Sequence, residues 1–419
     1  VGRLGEAAVG GLSIGLQVFF VVLAVAQVLA TTAMADLSQA FGAGRRDLAA
    51  STFSGYLVLA AILGAVASVA AWYVSEPYVA AFTDDPGVYE QGVAYFRAAA
   101  PTFLTQVVQL VLVQGMRAVG DFTTPVRVGV VTVLLNLLLD PLLMYGLGPF
   151  PELGIAGVGI ATTICQGLAI TWLLVGLVLP GRAFRLARPM IGGDLLRGLL
   201  FRGLPAGLQF LLLSVAMGLM LYAMKPFGAA WTASAGGGFR LVQQAILPIV
   251  AASTAAAAIA GQNEGAGRRD RVRGAVRAAL LATVAWSLVG IGVAELGAPW
   301  LALIFASGEE LGPAVAYLHR ASPAVLGFAI SLPSTFVLQA LKRPVLPLVA
   351  AIVRIVFLGA VALSAGPDGI GPKTVFLAFA AGAWLEGGLD LVLVWRALAD
   401  PVPSPSPPQG ERVGVNPVR

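Results

Sequence analysis

The chain has 419 residues, of which 58% are hydrophobic and 11% charged, with a net charge of +5, one cysteine and one histidine. A soluble domain carries about 25% charged residues, and a mean hydropathy of +0.87 is that of a protein that crosses a membrane many times. Cys165 cannot form a disulfide within the chain, and with His319 alone beside it there is no ligand set for a metal centre. The arginines sit in short connections instead of on one basic face, so nucleic-acid binding has no support.

In chain order, eleven nearly uncharged runs are long enough to cross a bilayer core, which takes about 20 residues each. They cover 7–35, 48–75, 98–116, 125–146, 155–179, 199–224, 229–260, 278–300, 314–341, 345–365 and 374–395. None shows the two-residue alternation of a β-barrel, so the fold class is an all-α integral membrane protein.

Basic residues crowd alternate connections: Arg45 and Arg46, then Arg117 and Arg127, then Arg182, Arg185, Arg188, Arg197 and Arg202. Arg268 to Arg277 follow, then Lys342 and Arg343. The other connections carry acids such as Asp84, Glu152, Glu309 and Asp368. The excess of positive charge places the basic loops and the C-terminus in the cytoplasm of a cell-membrane protein. An odd number of spans puts Val1 outside, which leads to the expectation of one further helix before it.

The chain also repeats itself. GAGRRD stands at 42–47 and again at 265–270, each copy following a glutamine, Gln39 or Gln262. Ala94, Tyr95 and Pro101 are echoed by Ala316, Tyr317 and Pro323. A duplicated bundle accounts for this, with an N-lobe over 1–181, a linker over 182–198, a C-lobe over 199–399 and a Pro/Ser-rich disordered tail over 400–419. Substrate sites in such folds lie between the repeats.

Polar groups inside the spans are the candidate site residues. Asn136 and Asp140 stand one turn apart on one helix face. A carboxylate there costs roughly 2.5–3.5 kcal/mol to insert, which makes function the default reading. Such a group can exchange protons near neutral pH and hold or release a cation in turn. Gln114, Thr162 and Thr163 are placed to extend a polar network around this pair, or to make ordinary interhelical hydrogen bonds. In the last spans, Glu386 and Arg354 lie at equal depth and are expected to pair, with Asp390 one turn from Glu386. A structural lock and a second coupling site are both open for them. Arg240, beside Gln243 and Gln244, is expected to face the C-lobe interior, in a substrate-cavity or a structural role. Asp36 reads as an interfacial residue.

The order QAFGAGRRD, RAVGDFTTP, NLLLDPLLMYGLGPFPELGIAGVGIAT and GQNEGAGRRDRVR resembles the multidrug and toxic compound extrusion (MATE) family, in its DinF-like prokaryotic form. VGRLG at the start looks like the end of that family's first helix, so the chain would hold helices two to twelve of a twelve-helix, two-lobed fold. The resemblance implies a secondary active exporter of cationic or amphiphilic drugs, exchanging them for H⁺ or Na⁺ by alternating access. Asn136 and Asp140 match the family's N-lobe polar pair. The acids that the NorM type uses have no counterpart in 199–224 or 314–341, which points to protons. No P-loop, HExxH, CxxC or GxSxG is present, so neither ATP-driven transport nor an enzyme is expected; the transporter is expected to work as a monomer without a cofactor. The alternatives are a lipid-linked oligosaccharide flippase, which would want more cavity arginines than Arg240 and Arg354, or an inactive truncated membrane protein.

Overall fold

A computed structural model describes residues 6–178 and 186–400. Val1–Gly5, Arg182 and Arg185 of the expected linker, and the expected tail beyond Asp400 lie outside the described residues. The first helices are α1 (Glu6–Gly42), α2 (Arg46–Ala80), α3 (Pro86–Ala118), α4 (Thr123–Tyr145) and α5 (Gly154–Val178). Then come a short α6 (Gly193–Gly198), a π-helical turn (Leu199–Gly203), α7 (Leu204–Met224), α8 (Ala229–Gly265) and α9 (Arg269–Ala302). The chain continues through α10 (Leu311–Ala321), α11 (Ala324–Ala340), α12 (Val345–Leu363) and α13 (Pro372–Ala399). Among the described residues ten helices are long and apolar enough to cross a membrane, or eleven if α10 and α11 count as one span. The protein is a multi-pass membrane protein.

Local chemistry sets the breaks. Both GAGRRD turns reverse through a left-handed glycine, Gly44 at φ 76° and Gly267 at φ 71°, a conformation that costs glycine nothing. Asp85 caps α3 by accepting from the Val88 amide at 3.0 Å, with Pro86 pre-set at the first helical position. The run 314–341 is a bent pair and not one straight span: α10 and α11 meet at 45°. Pro323 has no amide to continue the ladder, and Trp384 Nε1 caps its carbonyl at 3.0 Å.

The helices pack as two groups that repeat one another. In the first, the buried Tyr95 ring lies against Gly15 of α1, where a Cβ would approach it to 2.6 Å. In the second, Tyr317 lies in the same way against Gly238 of α8, at 2.2 Å. Phe53, Phe96 and Phe103 fill one core, and Tyr317 and Phe376 the other. Outward faces carry exposed leucines such as Leu137, Leu281 and Leu296, as lipid contact requires. The linker residue Met190 docks on α2, its amide donating to Ser51 O at 3.1 Å.

The hydrogen bonds and ion pairs described between the two groups all fall at the arginine-rich end, where the repeats interlock. Gln39 Nε2 donates to Ala340 O and Gln262 Nε2 donates to Ala118 O, each at 2.7 Å. Gly42 sits on the Gln262 carbonyl and Gly265 on that of Gln39, so close that no side chain fits. Asp36 is no simple interfacial residue. Its carboxylate accepts from Tyr56 Oη at 2.7 Å and from Arg202 at 2.8 Å, and meets Lys342 Nζ at 2.9 Å. Arg202 and Lys342 belong to the opposite group.

Candidate functional site

Between the two groups lies a cavity of about 360 Å³, walled by α1 and α3 on one side and by α7, α8 and α11–α13 on the other. Repeat-related positions face it in pairs: Thr31 with Thr254, Met34 with Ala257, Leu110 with Leu332, and Arg117 with Gln339. Its walls are amide and aromatic, with Gln27, Gln209, Phe210, Phe328 and Phe336 among them. Gln339 Nε2 donates to Gln209 Oε1 at 3.0 Å, which fixes one of these amides. A larger hollow of about 690 Å³ opens around Glu295, His319, Arg320 and Lys373. It lies within the second group alone, and its carboxylate is already taken by His319 at 2.7 Å and Ser322 at 3.1 Å. The cavity between the repeats is therefore the candidate site.

Three of the residues singled out from the sequence line it: Gln114, Arg354 and Glu386. Arg354 Nη1 stands 2.6 Å from Glu386 Oε2, both side chains almost wholly buried, and the guanidinium lies over the Phe328 ring at 5.5 Å. Asp390, one turn on, is fully buried. Its Oδ2 accepts from Ser331 at 2.7 Å and Thr335 at 3.0 Å, while Oδ1 has no hydrogen-bond partner among the described residues. The second group thus brings one acid and one arginine to the cavity wall, with Asp390 behind Ser331 and Thr335.

The remaining candidates lie elsewhere. Asn136 Nδ2 donates to Asp140 Oδ1 at 3.1 Å, so the pair forms. It is half-buried in the first group, within electrostatic reach of Tyr95 and Cys165, and does not line the cavity. Thr162 and Thr163 do not join Gln114. Their hydroxyls bond back to Val158 O and Gly159 O, and Thr163 also meets Thr102 at 2.6 Å. Helical threonines satisfy themselves in this way whenever no stronger partner is near. Arg240, Gln243 and Gln244 are exposed and are not among the residues that line this cavity.

Arg117 is the residue that the sequence misplaced. It reads as a loop cation but is the penultimate residue of α3, and it turns into the cavity floor. Its Nη1 donates to Gln114 Oε1 at 3.2 Å. Laying the two repeats over one another would have found it, because the matching position carries the neutral Gln339.

The MatE family model matches residues 1–142 and 205–363. The chain belongs to the MatE family. MatE proteins are transporters, and this one is a multi-pass membrane transporter with the helical architecture read from its sequence. The FAD transporter of Shewanella oneidensis is 27% identical over 368 residues, covering 85% of this chain and 80% of its own. The probable multidrug resistance protein NorM of Deinococcus radiodurans is 26% identical over 417 residues, covering 95% and 89%. Among solved structures, the outward-facing conformation of a multidrug resistance MATE transporter of the MOP superfamily superposes with a TM-score of 0.88 at 20% identity. It covers 95% of this chain and 89% of that one.

Proposed function

We propose that this MatE chain is a secondary active exporter that carries amphiphilic organic molecules across the cell membrane in exchange for H⁺, by alternating access. The observation that carries the reading is the cavity between the two repeats, closed at the arginine-rich end by contacts that can be broken and remade. In this reading that end and the C-terminus face the cytoplasm, and 1–181 and 199–399 rock as two lobes of a monomer. The names of the relatives, an FAD transporter and a multidrug resistance protein, support an organic small molecule as cargo.

Asp140 is the proposed protonation site. Asn136 holds its carboxylate from one side, and Tyr95, packed on α1, lies within its field, so a change of charge there acts on a helix that also walls the cavity. Sodium in the proton's place is the alternative coupling ion at this pair.

The test is dye flux in proteoliposomes under an imposed pH gradient, with anionic and cationic fluorescent dyes run in parallel. Gradient-driven flux in the wild type and its loss in Asp140→Asn is the expected result. Flux unchanged in the variant would move coupling to Glu386 and Asp390. Absence of flux for every dye in the wild type would end the exporter reading.

A further inference from the structure

We propose that the cavity between the repeats takes planar aromatic molecules that carry negative charge, and that Arg117 is the residue that selects them. The inference rests on the exporter reading for its setting and names the chemical class of the cargo. Its first ground is charge. Among the described residues that line the cavity, the ionisable ones are Arg117, Arg354 and Glu386. Arg354 and Glu386 neutralise each other at 2.6 Å. Arg117 has no acid within ion-pairing distance among the described residues, and its contact with Gln114 is to a neutral oxygen. A cationic molecule entering here finds no free carboxylate and meets a guanidinium. An anion supplies the partner that Arg117 lacks, and Arg favours planar, bidentate groups such as carboxylate, phosphate or sulfonate.

The second ground is the repeat. A cation near a helix C-terminus is favourable on its own account, so Arg117 could stand there for the fold alone. Its counterpart keeps its cations elsewhere: α11 carries the neutral Gln339 at the same position and makes the same closing contact one residue later through Ala340, while Lys342 and Arg343 lie beyond the helix end. The charge is thus an addition to one repeat, at a point where both repeats face the cavity. The third ground is shape. Phe210 and Phe336 bring aromatic rings to the lining, and the glutamine amides offer donors and acceptors to heteroatoms around a flat molecule. The volume of about 360 Å³ lies in the lower part of the roughly 300–1,000 Å³ typical of pockets for one organic ligand.

A matched dye pair tests this by fluorescence polarisation on the purified full chain in detergent. Fluorescein and rhodamine 123 share the xanthene plane and differ in charge, the first anionic and the second cationic. Fluorescein should bind more tightly by about tenfold or more, the scale of one charge-assisted contact. Arg117→Gln should abolish most of that preference, and Arg117→Lys should keep part of it. The glutamine variant copies what the fold already holds at Gln339, and the wild-type preference is informative whether or not that variant folds. Tighter binding of rhodamine 123, or a preference untouched by Arg117→Gln, would overturn the proposal. Anion preference without gradient-driven flux of either dye would leave the assignment of Arg117 standing and remove the exporter reading. Flux of rhodamine 123 without fluorescein binding would do the reverse.

Discussion

At the scale of single residues, the buried charge described in the second helix group lies in Arg354, Glu386 and Asp390. Arg354 and Glu386 are both nearly inaccessible, and removing either partner leaves the other buried and uncompensated. Breaking such a pair costs about 3–5 kcal/mol, whereas replacing both partners by apolar residues of similar volume is often neutral. Arg354→Met should therefore lower the thermal unfolding midpoint of the detergent-solubilised protein well below that of the Arg354→Met, Glu386→Met double variant. Equal midpoints for the two would mean that the ion pair contributes no more than its packing. Asp390 differs in having one oxygen fully bonded and one without a hydrogen-bond partner. Asp390→Asn keeps the shape and can leave the amide nitrogen facing Ser331 and Thr335. Those hydroxyls can turn to accept, so the expected loss is small, about 1 kcal/mol, on the same unfolding measurement.

At the scale of helices, α1 and α8 cross where each offers a glycine to the other's backbone. A Cβ on Gly42 would stand 1.8 Å from Gln262 O, and one on Gly265 would stand 2.0 Å from Gln39 O. The obstructing atoms belong to backbone carbonyls, which cannot swing aside as a side chain can. Gly42→Ala should therefore part the two helix ends. Spin labels on Arg45→Cys and Arg268→Cys, in a Cys165→Ser background, should report a longer distance in that variant. Gly274→Ala, where a Cβ meets nothing within 4 Å, should leave the distance unchanged. An unaltered distance in Gly42→Ala would show that the crossing yields elsewhere and that the glycines are no part of the closure. The same sequence signal that exposed the repeat, the hexapeptide after each glutamine, marks this crossing. Its glycines serve two purposes: Gly44 and Gly267 turn the chain, while Gly42 and Gly265 admit the partner helix.

At the scale of the whole molecule, the spans and the repeat were legible because they rest on apolar length and on identical letters, both one-dimensional quantities. The bend at Pro323 was not, because Pro101, its counterpart, sits inside an unbroken α3. Asn136 and Asp140 were legible as a pair, yet their distance from the cavity depends on how α4 docks. Arg117 and Asp36 were misread for one reason: near a span end, a charge that anchors topology and a charge that joins two lobes look alike. Asp36 now stands out, among the described residues, as the carboxylate that holds both Arg202 and Lys342 of the opposite group. Lys342 adopts a left-handed backbone at φ 63°, where the matching turn of the first repeat has Gly120 at φ 95°. A non-glycine residue there costs on the order of 1 kcal/mol, and the strain brings an ammonium onto Asp36. Lys342→Gly separates the two effects. It relieves the backbone and deletes the bridge, so the unfolding midpoint should fall little or rise, while the Arg45–Arg268 label distance shifts toward the parted state. Asp36→Asn, which leaves Arg202 and Lys342 facing one another without an anion, should shift that distance further. If both variants kept the wild-type distance, the glutamine and glycine contacts alone would hold the lobes together, and Asp36 would be a structural residue of the first group.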